Sequence, residues 1–510
     1  MMGSKAVEPK LYLSFSVDSA VPPNQLVRRL AAAVDLSFVR GLTRRHYSHT
    51  GKPSVDPEVL FKLVLLGYLF NITSEQRLCE EAGLNLAWRW YLGYELDEPI
   101  PDHSVLTKAR RRFGSVVYEQ FFRRVVQLCE QRGLIDGDVL FVDATMTKAN
   151  ASPQSMRSRA LLMQQLMKPG DFVAELWEAN VEEVDEELPP RRRGRPRTDD
   201  PRSRHSRSIT NDLSVSATDP DAQMFRKTGQ TPVLAHKTHM AVDGGRANII
   251  TAVEVRPACE ADSHAVTAVL AKHEIAVGRP VRELVGDRGY GSEAANKVCS
   301  ERGVVPTLAM RTLNNRYGSI HRDRFTYIAD RDLFICPNQQ ELSRFADNRH
   351  LRASLYRAAR GTCTACPLKP TCAPGRADRS ITRRWDGDMW DEWQLHLRSR
   401  HARHMFRRRH VVSERAFAQG KGNHGLSRAQ CRGRSSMRVQ SLITAAAMNI
   451  KQLVRRGPVA QAGIAQQVHR CRSTRYQRLI IDRPGRRPWK STQFCLPTGA
   501  AAPLTSNDGS

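Results

Sequence analysis

The sequence predicts an α/β protein: a mixed sheet flanked by helices, preceded by an all-helical N-terminal segment. Three observations predict it. From about residue 21 to 135, apolar residues recur at three- and four-residue spacing, the period of a helix with one buried face. At Asp138 the pattern switches to a short apolar and β-branched run, DVLFVDA. Counting that run, the later elements read as three strands, a helix, a strand, a helix and a strand, the order of a mixed sheet with helices on its faces.

In chain order, PEVLFKLVLLGYLFN is a helix with Asp56 and Pro57 as its N-cap and first-turn pair. A second helix, SEQRLCEEAG, starts at Ser74 and stops at Gly83. A third opens at Asp102 in PDHSVLTKARRRFG and carries Lys108, Arg110, Arg111 and Arg112 before stopping at Gly114. Short helices broken by glycine, the last one basic, suit a helix-turn-helix reader of DNA. Residues 15–135 therefore read as a DNA-binding domain with Lys108, Arg110 and Arg111 as contacts. A helical bundle with a solvated basic face is the other reading.

DVLFVDA is followed by helical SRALLMQQLM, acidic EEVDEEL and the Arg/Ser/Pro-rich RRRGRPRTDDPRSRHSRS. With no core face, residues 183–210 read as a disordered linker. Strands resume at HKTHMAVD and NIITAVEV, with Gly244 and Gly245 at the turn. Helix DSHAVTAVLAKHE, strand RELVGD, helix SEAANKVCSERG and strand VVPTLAM come next. After a cysteine-bearing insert at 325–375, helical spacing returns in ERAFAQG and SSMRVQSLITAAAMNIKQLVRR. Residues 136–455 read as a second, α/β domain, and 456–510 as a tail without structure.

Charge narrows the function. In 510 residues, Lys and Arg number 79 against 52 Asp and Glu, a net charge of +27. Such an excess favours a polyanion partner, since each phosphate neutralised releases condensed counterions. Ribosomal and membrane-surface proteins share the bias. An apolar run of about 18 residues or more, which a membrane helix requires, is absent, and the start lacks the basic-then-apolar order of a secretory signal. Eleven cysteines, an odd number and mostly scattered, suit a reducing cytosol. The expected location is the cytoplasm, with the nucleoid.

Three carboxylates stand out. Asp143 ends the apolar strand in FVDATMTKANAS, Asp287 ends the strand in LVGDRGYGS, and Glu414 opens a helix in ERAFAQGKGNHGL beside a dense basic stretch. Gly286, Gly289 and Gly291 allow close backbone approach to a phosphate. Taken singly, an aspartate at a strand end is an ordinary cap or turn residue. Taken with TDPDA, HKTHMAVD, the run GLSRAQCRG and AAAMNIKQL, the set resembles the DDE transposases of bacterial insertion sequences, over roughly residues 15 to 455.

The resemblance implies a ribonuclease-H-like catalytic domain in which Asp143, Asp287 and Glu414 hold two Mg (or Mn) ions. It implies strand cleavage at transposon ends and strand transfer into target DNA. Double-stranded DNA and a second copy of the chain in a synaptic dimer are the implied partners, with no membrane. Lys421, seven residues past Glu414, shares its helix face and is the implied phosphate contact. One departure is plain. Where many relatives carry a tyrosine and an arginine seven and four residues before the glutamate, this chain has Arg407 and His410, leaving Arg409 to compensate. A nuclease on the same fold and a decayed, noncatalytic DNA-binding relative are the rival readings.

Other motifs carry weaker signals. Asp219 and Asp221 in TDPDA read as a turn supporting the site's wall rather than as ligands. His236 and His239 fall on opposite faces of a strand, and Lys237 between them is read as facing DNA. Cys336, Cys363, Cys366 and Cys372 form a CxxC pair with two further cysteines, a pattern for a structural, zinc-ribbon-like site, with reduced cysteines holding no metal as the alternative. RRRGRPR, with Arg191, Arg193, Arg195 and Arg197, resembles an AT-hook for the minor groove, and a nonspecific electrostatic tether is the alternative.

Overall fold

The computed structural model describes residues 15–159, 211–310 and 320–456, apart from positions 49, 52, 53, 228, 350, 351, 376 and 386. The helix expected at SRALLMQQLM, the 183–210 linker with Arg191, Arg193, Arg195 and Arg197, and the tail after residue 456 lie outside the described residues.

The N-terminal segment is helical: α1 (Leu26–Ala33), α2 (Pro57–Phe70), α3 (Glu75–Leu84), α4 (Leu86–Leu92) and α5 (Ser104–Gln131). The starts are set by capping. The Asp56 carboxylate accepts from the Glu58 N–H at 2.9 Å, and Ser74 accepts from the Arg77 N–H at 3.3 Å. The third helix of the sequence reading does not stop at Gly114. That glycine takes φ 61° and ψ 179°, a kink, and α5 resumes beyond it. Val117, Tyr118, Phe121, Phe122, Val125 and Val126 keep the apolar spacing going and are all buried, which outweighs one glycine. Phe61 of α2 packs its ring against Phe113, Tyr118 and Phe121, and burying each such ring is worth about 2–3 kcal/mol.

The main sheet holds β1 (Val139–Lys148), β2 (Gln223–Phe225), β3 (Val233–Asp243), β4 (Ile250–Pro257), β5 (Glu283–Gly286) and β6 (Val305–Leu308). β1 is central. It runs antiparallel to β3 and parallel to β5; β6 lies parallel beyond β5, and β4 and β2 pair antiparallel with the far edge of β3. The parallel pairs need crossovers, and α6 (Val266–Val277) and α7 (Glu293–Glu301) supply them. Three antiparallel strands followed by two parallel ones make this a ribonuclease-H-like sheet.

After β6 comes a five-stranded antiparallel sheet, β7 (Thr326–Ile328), β8 (Leu333–Ile335), β9 (Glu341–Asn348), β10 (Ala353–Ala358) and β11 (Ser380–Arg384), with its own small core around Phe334, Leu342 and Tyr356. Helices α8 (Gly387–Leu397), α9 (Arg400–Asn423) and α10 (Arg434–Arg456) complete the fold. Alternation along the strands gives the main sheet two apolar faces. Leu140, Val142 and Leu284 pack with Val269 and Leu270 of α6 and with Trp393 of α8. Phe141, Met240 and Val285 pack instead into one continuous core with the N-terminal helices and α10. The helical segment is thus joined to the sheet by shared core rather than by a linker. Among the described residues no single helix is long and apolar enough to cross a membrane; a bent pair, α2 with α3, passes on composition, and much of α2 is core.

Candidate active site

Asp143 and Asp287 are brought together by register. Phe141 of β1 pairs with Val285 of β5 in parallel, and each aspartate lies two residues further along its strand. Both therefore point to the face that carries α9 and α10. Asp143 is 18% exposed, and its carboxylate accepts from the Arg409 guanidinium at 2.9 Å and from the Ala144 N–H at 2.8 Å. Burial raises its pKa; Arg409 and the Ala144 hydrogen bond oppose that rise, and the negative charge of Asp287 adds to it. The two acids thus repel one another at one spot, with the Arg409 guanidinium as close counter-charge to Asp143.

Asp287 opens a tight turn in which its Oδ1 accepts from the Gly289 N–H at 2.8 Å. The glycines here approach the protein itself, which corrects the expectation that they clear space for a phosphate. A Cβ at Gly289 would stand 2.1 Å from the Asp262 carboxylate and 3.0 Å from that of Asp287; one at Gly291 would stand 2.0 Å from the Ala309 carbonyl oxygen.

Glu414 is placed differently. It lies on α9, five residues after Arg409, hence about 140° around the helix from it. Arg409 and buried Ser413, Ala416 and Gly420 face the sheet, whereas Glu414 is 60% exposed and meets His410 one turn back at 3.2 Å. Lys421 shares that outer face and is exposed. Lost hydration and the charge of Lys227 lower its pKa. Arg407 and His410, which replace the tyrosine and arginine of relatives, are exposed on the same stripe. Among the described residues no group of three or more His, Cys, Asp or Glu side chains is spaced to hold an ion.

The remaining sequence-predicted residues divide. Lys108 and Arg111 are exposed on α5. Arg110 is turned inward, where it ion-pairs with Glu75 and donates to the Cys431 sulfur at 2.9 Å. Lys237, read as facing DNA, is 7% exposed and meets the Asp262 carboxylate at 2.8 Å, because β3 is covered on both faces. His236 and His239 do face opposite sides: His236 meets fully buried Asp219 at 3.1 Å, and His239 meets the Tyr290 hydroxyl at 2.6 Å. Asp221 accepts from the Arg434 N–H at 2.8 Å and so supports the start of α10. Cys336, Cys363, Cys366 and Cys372 line one cavity of about 30 Å³ in the insert, and all are free thiols.

The match to known families fits this geometry. Residues 15–112 match the family described as "Transposase domain (DUF772)", and residues 335–454 match "Transposase DDE domain". Both matches are to transposase families, and together they support an insertion-sequence DDE transposase. The second match spans Glu414, Lys421 and the four cysteines, but begins after Asp143 and Asp287. No curated protein matches the chain in sequence. Among solved structures, a piggyBac transposase synaptic complex with hairpin DNA matches at 8% identity and a TM-score of 0.30, covering 84% of this chain and 74% of that one.

Sequence reasoning missed Asp262 and Tyr290. Tyr290 is fully buried beside His239, and its pKa is raised well above the ordinary value by burial, then by Asp262, Asp143 and Asp287. Asp262 had passed as a helix start. A signal was present: a lysine inside the strand HKTHMAVD, once buried, requires a nearby carboxylate.

Proposed function

We propose that this transposase cuts DNA at the ends of a mobile element and joins them to a target, with Asp143, Asp287 and Glu414 as its catalytic acids. The observation that carries the reading is the pair Asp143 and Asp287. Two carboxylates press on each other at adjacent strand ends, in a place where stability alone would favour an apolar pair. They fit a divalent cation, and Arg409 supplies the counter-charge that such a cation would replace. Glu414 is the third donor, carried on the same helix as Arg409. Mg²⁺ or Mn²⁺, two ions, would supply Lewis acidity and offset charge on the attacking and leaving oxygens.

The chain's own groups then have separable tasks. Arg409 orients Asp143, and the Gly289 N–H orients Asp287. Lys421 and the exposed cations of α9 hold phosphate. Water attacks the end phosphodiester and leaves a 3′-hydroxyl, which attacks the target phosphodiester; both are in-line displacements. Residues 15–135 serve as the DNA-binding part, with exposed Lys108 and Arg111 as contacts, and 136–455 as the catalytic part. The Arg191–Arg197 stretch serves as a DNA tether, and two copies synapse two ends at the nucleoid. The four insert cysteines would hold one structural zinc only by closing in, since as placed no three of them are spaced to hold an ion; the Gln340 N–H donates to the Cys336 sulfur at 3.3 Å, as in a knuckle turn.

The test is cleavage and joining of the element's end DNA with Mg²⁺, comparing wild type with Asp143→Asn, Asp287→Asn and Glu414→Gln. Each substitution should cost about a thousandfold or more in both steps while DNA binding persists. Substituted proteins that cut as well as wild type would remove the carboxylate assignment. A wild type that binds but never cuts would make the chain a decayed relative.

A further inference from the structure

Between the turn that follows β3, the second half of α9 and the end of α10 lies an open cleft of about 430 Å³. Arg246, Arg415, Arg455 and Arg456 line it, with the amides of Gln419 and Gln452, and its lining contains no Asp or Glu. A smaller cavity of about 50 Å³ adjoins it, sharing Gln419, Gln452 and Arg455 and adding Lys451. It too lacks an acid. The cleft is therefore continuous and cationic from the β3 turn to Lys451.

Some arginines elsewhere are neutralised by acids. Arg40, Arg256, Arg279 and Arg344 each meet a carboxylate within 3 Å. Among the described residues, none of the four cleft guanidiniums meets a carboxylate. Arg456 donates instead to the Arg246 backbone carbonyl at 2.5 Å, which holds the two cations on one wall. Lys451 registers the uncompensated charge: burial lowers its pKa, and Arg455 lowers it further. Gathering like charges around one cleft is unfavourable unless an anion fills it.

We infer that this cleft is a track for the phosphate backbone of duplex DNA flanking the cleavage site. The inference rests on the transposase reading and adds a surface outside the acid site and the helical segment. Position favours a polyanion over a small anion. Arg415 directly follows Glu414 on α9. Asp143 pairs with Met240 and Leu140 with Asp243, so the turn bearing Arg246 begins about 10 Å along the sheet from the level of Asp143. DNA bound at Asp143 reaches the cleft within a few base pairs, where guanidiniums can each fork onto phosphate oxygens.

The test measures binding of a 30-base-pair duplex of arbitrary sequence to full-length Asp143→Asn protein, without added divalent ion, across a salt series. The variant R246Q/R415Q/R455Q/R456Q on that background should bind roughly 10–100-fold more weakly. Its log K against log salt slope should shrink by about 2–4, near 0.9 per lost phosphate contact. A control, R282Q/R302Q, removes two surface charges elsewhere and should change little. Should the quadruple variant unfold, R246Q/R415Q alone should show about half the slope change. Affinity and slope equal to the parent overturn the inference while leaving the transposase reading intact. Millimolar inorganic phosphate that displaces DNA through these arginines alone makes the cleft a small-anion site and also overturns it. A parent that binds no duplex removes both readings.

Discussion

The proposed acid site draws on two regions of opposite character. Asp143 and Asp287 are embedded in the sheet, half-buried and fixed by register to strands whose both faces are core. Glu414 rides on the outer face of α9, 60% exposed and, among the described residues, paired with a histidine on its own helix. The contrast teaches where such a site stores its organisation. The sheet half is preformed and carries a standing electrostatic cost. The helix half costs the fold almost nothing, and in the proposed reading its acid would take up its role when DNA and ions bind. Changes to the sheet half should therefore register in stability and chemistry together, changes to the helix half in chemistry alone.

The largest expected effect comes from acid. His239 and His273 are fully buried on β3 and α6, and burial pulls each down from 6.5 to about 4. A folded-state pKa below the unfolded value means that the unfolded chain takes up these protons first. The stability they permit is full above pH 6.5 and is lost as pH falls from 6.5 toward 4. At about 1.4 kcal/mol per unit, each histidine gives at most roughly 3.5 kcal/mol over that window. Denaturant melts at pH 7.5 and 5 should show the loss, and His273→Gln should flatten it. An unchanged slope in that variant would show that His273 does not contribute to the acid limit.

Paired glycine substitutions sharpen the contrast. Gly289→Ala puts a methyl against Asp262 and Asp287, so the turn must shift, at a cost of about 1–3 kcal/mol and with lost cleavage. Gly422→Ala near the end of α9 meets nothing within 4 Å and should leave stability unchanged or raise it by up to about 1 kcal/mol. Thermal melts and a cleavage assay read both. Equal losses would erase the distinction.

This difference also decides what was legible in the sequence. The fold came through because strand and helix periods are local: LFVDAT and RELVGD end in acids, and the order of elements dictates which strands pair. The capping of Asp56 and Ser74 was equally local. Tertiary contacts were not. That Arg110 turns to Glu75, that Lys237 meets Asp262 and that Gly289 exists for Asp262 depend on chain segments from about 25 to 35 residues apart. Helix rotation was beyond reach for the same reason. Nothing in ERAFAQGKGN says that Arg409 faces Asp143 while Glu414 faces solvent; that follows from which side of α9 the sheet buries.

The smallest effect is the most diagnostic. Burial and the charge of Asp287 outweigh Arg409 and leave the Asp143 pKa raised, so the ionised carboxylate is a net burden on the fold. A raised carboxylate costs stability above its folded pKa and nothing below the unfolded value near 3.8. Asp143→Asn should therefore melt at a higher temperature than wild type at pH 7, and the gain should vanish as pH falls through the raised pKa toward 3.8. Glu414→Gln, as an exposed substitution, should shift stability by no more than about 0.5 kcal/mol. Melting curves of both variants without divalent ions decide the matter. A destabilised Asp143→Asn would mean that Arg409 dominates and that the pair is a structural ion pair rather than an acid held in readiness for a cation. A stabilised Glu414→Gln would mean that the glutamate already feels the sheet acids before any ligand arrives.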